Sequence, residues 1–233
     1  DSLFNFPASD STGRFVKAAL AGKSSTVSAA QADWNARIRA VSPASVDAPF
    51  VSNHDMARAR GMLRSKVPNE KAAALLYLLM PGVPTVYYGE ELGMSGSGSD
   101  ENKRLPMVWS SDAATQCKAP AAADQAQRLT DGVAEQDSDP DSLLNWYRQL
   151  IALRNLAPEL TRGEMTALDG GNDAICAYTV TDAGSTVAII SNVSQKDTLT
   201  VSLDVLRGAK LLGGIGGAAF ADGTANLPPL SGI

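Results

Sequence analysis

The chain has 233 residues, 44% of them hydrophobic and 19% charged, an ordinary globular composition with ample apolar material for a core. A formal net charge of −5 and a pI near 4.9 offer nothing to a phosphate backbone, so no nucleic acid partner is expected. The densest apolar run, residues 72–80, falls well short of the ~18 to 20 residues that cross a bilayer, so no membrane partner is expected either.

In chain order, residues 3–7 read as a short buried strand, and 13–20 and 28–41 as helices, the second with Ala32, Ile38 and Val41 among its apolar positions. Residues 49–52 read as a strand that ends at Asn53. Pro68 and Asn69 open a helix whose Ala72, Leu75, Leu76 and Leu79 recur at i, i+3, i+4 and i+7 before Pro81-Gly82 stops it. Residues 85–88 follow as another strand. Strands and helices in alternation with short links point to a parallel sheet with helical crossovers, because a tight hairpin cannot join parallel neighbours.

From 93 to 136 the chain turns polar and rich in Gly, Ser, Asp and Ala, a long excursion of the kind that shapes binding clefts. Asp139 is a good N-cap and Pro140 a good first residue for a helix over 141–155. Its buried stripe is expected to be Leu143, Leu144, Tyr147, Leu150, Ile151 and the aliphatic stem of Arg154.

After Gly163 the period changes to two. β-branched and aromatic runs at 165–168, 174–180, 186–191 and 198–203 are separated by Asp169-Gly170-Gly171-Asn172, Asp182-Ala183-Gly184 and Asn192-Val193-Ser194, an antiparallel pattern. The division is therefore 1–157 for the α/β part and 158–233 for a small β domain. At roughly 70 residues that domain has a marginal core of its own, so it should dock on the helix before it. Cys117 and Cys176 lie far apart, and two unrelated free thiols explain them as well as a bridge does. No Cys or His spacing suits a metal.

The only histidine, His54, stands in Phe50-Val51-Ser52-Asn53-His54-Asp55 at the end of a predicted buried strand. A turn in which Asn53 and Asp55 satisfy local backbone groups is one reading. A ligand site is the other, since parallel α/β sheets bind ligands at the carboxyl ends of their strands.

That hexapeptide resembles the block that ends the seventh barrel strand of glycoside hydrolase family 13, the α-amylase family. Three further stretches fall in the family's order. Gly82-Val83-Pro84-Thr85-Val86-Tyr87-Tyr88-Gly89-Glu90-Glu91-Leu92-Gly93-Met94 is similar to the eighth strand and its exit. Arg104-Leu105-Pro106-Met107-Val108-Trp109 is similar to the block in the loop after it, and 139–154 to the last barrel helix.

The resemblance covers nearly all of 1–165. It implies an α/β plus all-β fold: the C-terminal portion of a (β/α)8 TIM barrel followed by a small antiparallel β-sandwich. It also implies a retaining glycosidase acting on an α-glucan or maltooligosaccharide. Such chemistry needs a nucleophile and an acid/base carboxyl about 5 to 5.5 Å apart and an oxocarbenium-like transition state. By the motif match Asp55 is a third carboxylate that stabilises that state, with His54 donating to the same sugar and Asn53 among the substrate-binding residues.

Asp55 would also raise the acid/base's pKa by like-charge repulsion. Arg58, as His-Asp-x-x-Arg, resembles a frequent family extension that binds a carboxylate or a sugar oxygen; a solvated arginine at a helix start is the alternative. Ala57 stands where relatives often have Pro, which loosens the helix entry. Tyr87 and Tyr88 read as packed strand aromatics. Glu90 and Glu91, adjacent on a strand, should face opposite sides and so cannot flank one glycosidic bond.

No Arg-x-Asp stretch precedes His54, so the family's nucleophile and acid/base blocks are absent, and the chain is expected to start at the sixth strand. It is then inactive alone and needs either the N-terminal part of the same enzyme or another copy against its open sheet. No cofactor is expected here; calcium would belong to the full-length enzyme. The composition suits a secreted or periplasmic bacterial protein, and a cytosolic one would look similar. The competing readings are a family transglycosylase or isomerase, and a non-catalytic scaffold of the kind found in amino-acid transporter heavy chains. Such scaffolds tend to lose the residues that Asn53, His54 and Asp55 keep.

Overall fold

A computed structural model describes residues 2–112, 114, 116–124 and 131–233. β1 (Ser2–Phe4) and β2 (Val46–Ala48) pair in parallel, Ser2 opposite Val46 and Phe4 opposite Ala48. The crossover that parallel pairing requires consists of α1 (Arg14–Ala21) and α2 (Val27–Val41). α1 stops where Gly22 takes φ +64°, a left-handed cap that costs glycine nothing.

A third extended segment runs along the other edge of β2, where Val83 N donates to Asp47 O (2.7 Å) and Thr85 N to Pro49 O (2.9 Å). Gly82 makes this approach feasible, since a Cβ there would lie 2.1 Å from Asp47 O. The strand expected over 85–88 does not form. Pro84 brings no N–H to a ladder, and pairing stops after two bonds. Likewise β2 lies upstream of the expected 49–52, because Pro49 faces the 83–85 segment without an N–H to give while β1 curls into a 3-10 turn at Phe6–Ala8. β1 was expected to be buried, yet Leu3 is 46% and Phe4 55% exposed, since β2 is its one partner among the described residues.

α3 (Ala59–Met62) leads to α4 (Val67–Leu78), whose Leu75, Leu76 and Leu79 are sealed from solvent together with most of the helix. Burying each such side chain contributes about 1.5–3 kcal/mol. The loop over 93–136 carries two short helices, α5 (Asp100–Lys103) and α6 (Val133–Asp137); its residues 113, 115 and 125–130 lie outside the described ones.

α7 (Leu143–Asn155) begins later than expected. Ser142 is its N-cap, its Oγ accepting from Asn145 N at 3.1 Å, while Asp139 closes a separate turn by accepting from Asp141 N. The buried stripe is Leu143, Trp146, Tyr147 and Leu150, with Leu144 beside it; Ile151 is exposed. Arg154 contributes more than its stem. Its guanidinium donates to the carbonyls of Leu78 (3.0 Å), Met80 (2.6 Å), Gly82 (2.6 Å) and Leu160 (3.1 Å). A helix leaves its last carbonyls unpaired, and the cation satisfies that of Leu78 at the end of α4 together with three carbonyls beyond the helix.

The tail forms two antiparallel sheets. One has the order β3 (Glu164–Leu168), β4 (Ile175–Asp182), β5 (Ser185–Asn192), β9 (Ser231–Gly232); the other has β6 (Leu199–Ser202), β8 (Thr224–Leu227), β7 (Ala219–Ala221). Alternation along β4 sends Cys176, Tyr178 and Val180 into the cluster built by α1, α4 and α7, and Ile175 and Ala177 into a second cluster with Val201, Ala225 and Leu227 of the other sheet. Docking therefore extends beyond α7: Tyr178 Oη donates to Leu79 O (2.7 Å) and Ser24 Oγ to Ala174 O (2.9 Å). Both cysteines are free, Cys117 exposed and Cys176 buried.

Candidate active site

Phe50 and Val51 are both buried, and Phe50 meets Phe4 and Phe6 edge-on with ring centroids 5.3 Å apart in each pair. The chain is thus pinned by apolar contacts immediately before its polar triplet. Asn53 Oδ1 accepts from Asp55 N (2.9 Å), an Asx turn that directs the next two side chains outward. His54 and Asp55 are 59% and 72% exposed, with Nε2 of the ring 3.3 Å from Oδ1 of the acid. They stand beyond the carboxyl end of a parallel strand, open to solvent and to a ligand.

The long loop supplies the other charges. Arg104 Nη2 lies 3.5 Å from Asp55 Oδ1, and Lys103 Nζ donates to the Asp55 main-chain oxygen (3.2 Å). Asp100 spaces these cations, with Oδ2 3.0 Å from Arg104 Nη1 and Oδ1 3.1 Å from Lys103 Nζ. Hydrogen bonds from Arg104 and Lys103 hold the Asp100 carboxyl below its ordinary range, and the bond to Asp100 raises Arg104. Solvated pairs of this kind add little stability; their effect is to surround Asp55 with positive charge and donors. Asp100 and Lys103 carry no motif, and the run of acids and bases over Asp100-Glu101-Asn102-Lys103-Arg104 is the one sequence signal that points to them.

Arg58 lies beneath this surface. It is 2% exposed, so the solvated helix-start reading is corrected. Its Nη1 donates to Tyr88 O (2.6 Å), and its guanidinium carbon stands 4.7 Å and 4.6 Å from the ring centroids of Tyr87 and Tyr88. Desolvation lowers its pKa, and its Nε and Nη2 are buried without a partner. The tyrosines lie in a loop and anchor it: Tyr87 Oη donates to Lys103 O (3.0 Å) and Tyr88 Oη to Leu105 O (2.7 Å). The stack Arg58–Tyr87–Tyr88 therefore holds the segment that presents Lys103 and Arg104.

Glu90 and Glu91 lie in a turn and not on a strand, and they do part company. Glu90 is buried among three hydroxyl donors, and burial pushes its carboxyl up to about 7. Glu91 is raised as well, by partial burial, with Arg58 opposing. Among the described residues no group of three or more His, Cys, Asp or Glu side chains is placed to hold a metal ion.

A parallel pair of strands joined by helices, with an acid, an imidazole and a cationic loop beyond their carboxyl ends, is an arrangement that TIM-barrel enzymes share. The comparisons agree: the model of the α-amylase catalytic domain matches residues 2–163, and the chain belongs to the α-amylase family of glycoside hydrolases. It is 29% identical over 151 residues to Alpha-amylase 3 of Dictyoglomus thermophilum, covering 64% of this chain and 30% of that protein. To Alpha-amylase SusG of Bacteroides thetaiotaomicron it is 34% identical over 156 residues, covering 63% and 22%. Among solved structures, Eubacterium rectale Amy13B matches with TM-score 0.90 and 34% identity over 100% of this chain and 47% of that one. Trehalose synthases are among the relatives too. The chain thus spans less than half the length of these proteins.

Proposed function

We infer that this chain is the part of a retaining α-glucan hydrolase, of α-amylase or α-glucosidase type, that grips the reacting sugar, while the nucleophile and the acid/base come from barrel strands outside it. The observation that carries this reading is the open His54–Asp55 pair at the end of β2, ringed by Lys103 and Arg104. Asp55 accepts from neighbouring hydroxyls of the sugar and offsets the positive charge that develops on an oxocarbenium-like ring, a term that matters most when the group is preorganised. His54 donates to the same ring. Asn53 shapes the turn, and Arg58 supports the surrounding loop from below.

Residues 1–157 form the barrel portion and 158–233 a C-terminal β-sandwich, a division supported by the change from parallel to antiparallel pairing. The exposed Phe4 and Phe6 and the open edge of β1 fit a surface that the N-terminal part of the same enzyme, or another copy, would cover. Export to the bacterial exterior or periplasm suits the composition. Because trehalose synthases are among the relatives, transglycosylation or isomerisation of an α-glucoside is the second reading.

The full-length protein should turn over starch, maltooligosaccharides or an aryl α-glucoside, whereas residues 1–233 alone should turn over none and should not run as a monodisperse monomer in light scattering. Turnover by the isolated chain would refute the assignment of the nucleophile and acid/base to other strands.

A further inference from the structure

Ser52, the residue ahead of the triplet, is buried, and its hydroxyl donates to Glu90 Oε2 (2.9 Å). Glu90 Oε1 accepts from Tyr77 Oη of α4 and Tyr147 Oη of α7, both at 2.8 Å. One carboxyl thereby joins two helices to the last buried residue before Asn53. Solvent barely reaches it, so any influence on a sugar passes through Ser52.

We propose that Glu90 is a positioning residue, which through Ser52 fixes the turn carrying His54 and Asp55 against α4 and α7. The inference rests on the reading that this turn holds the sugar. Above its base the turn has little to define it. His54 and Asp55 are mostly exposed, the Asx bond is local, the contact to Arg104 is 3.5 Å and solvated, and Lys103 reaches the Asp55 main chain and not its carboxylate. Its orientation is therefore set from below, where the Ser52 hydroxyl meets the carboxyl.

The bonding pattern also depends on the proton. As a carboxylate Glu90 accepts from all three hydroxyls; once protonated, one oxygen becomes a donor and the hydroxyl facing it must turn round. The groups facing Glu90 are the hydroxyls of Tyr77, Tyr147 and Ser52, which favour the charged form, and the neighbouring Glu91, which disfavours it.

The test uses the full-length protein as wild type, Ser52→Ala, Glu90→Gln and the double variant. It reads kcat and KM on a maltooligosaccharide from pH 5 to 9, and the ring resonance of His54 in histidine-labelled protein, assigned by its loss in His54→Gln. Both single variants should shift that resonance at fixed pH and lower kcat/KM by about 10-fold, with the double variant no worse than the larger single, as expected when two groups act through one bond. Glu90→Gln should also change the shape of the pH profile, which Ser52→Ala should not flatten. Lowered melting temperatures with an unmoved resonance and unchanged kcat/KM would reduce Glu90 to a structural residue and overturn the proposal. A wild type without glucan turnover would instead count against the sugar reading, and the resonance would then decide the positional claim alone.

Discussion

Asp55 and Glu90 are both carboxyls with several donors close by, and they sit in opposite surroundings. Asp55 has solvated ion partners and a mostly exposed side chain; Glu90 has three neutral hydroxyls and almost no contact with water. Water screens the first and keeps its oxygens available to a ligand. Desolvation penalises the charge on the second and leaves its oxygens committed to the protein. The difference teaches that a carboxylate's use follows from what already occupies its lone pairs, more than from its place in a motif.

The sharpest way to break this contrast is to neutralise each acid in turn. Asp55→Asn in the full-length protein should lower kcat by about 10² to 10³-fold, the cost typical of removing one preorganised charge-stabilising group. It should leave stability within about 0.5 kcal/mol of wild type, as for an exposed side chain. Steady-state kinetics alongside urea unfolding checks both halves, and a stability loss as large as the activity loss would erase the distinction.

Glu90→Gln should combine the smaller, about 10-fold loss of kcat/KM with a change in stability, and that change should carry a pH dependence whose sign is fixed. The folded-state value of about 7 exceeds the ordinary 4.5, so between these the native state binds more protons than the unfolded one, and stability falls as pH rises through that window. From pH 4.5 to 8 the wild type should lose about 3 kcal/mol relative to Glu90→Gln, read as a fall of its urea midpoint relative to that of the variant. A constant gap would mean that Glu90 does not change its proton there.

The smallest effect is expected from the collar. Arg104→Gln should raise KM a few-fold, about 1 kcal/mol or less, and the penalty should shrink as salt screens the charges. A change in kcat without a change in KM would place Arg104 in the chemistry itself.

α1 and α7 were legible because each carries an apolar period that packing then uses; α4 is buried nearly all round, and α2 turns Ser28, Gln31 and Asn35 inward while Val41, expected on its apolar face, is 87% exposed. The hairpin of β4 and β5 was legible from Asp182-Ala183-Gly184. The strand expected over 85–88 does not form, because Pro84 just ahead of that run brings no N–H to the ladder. The last three strands were missed in a glycine-rich tail, although Asp222-Gly223, with φ values of 50° and 75°, is a recognisable hairpin turn between β7 and β8. At the site, the placement of His54 and Asp55 just past a buried segment was readable from one hexapeptide. The burial of Arg58 was not, because it depends on two tyrosines about thirty positions later, and the approach of Lys103 and Arg104 depends on a loop that those same tyrosines tether.

Where a sugar sits decides the role of His54 and Asp55 most directly. A crystal structure of the full-length protein with a bound maltooligosaccharide should place two adjacent hydroxyls of one glucosyl unit within hydrogen-bond distance of Asp55 and His54 Nε2. A well-ordered sugar elsewhere in the cleft, with both side chains still facing only Arg104, Lys103 and water, would contradict it.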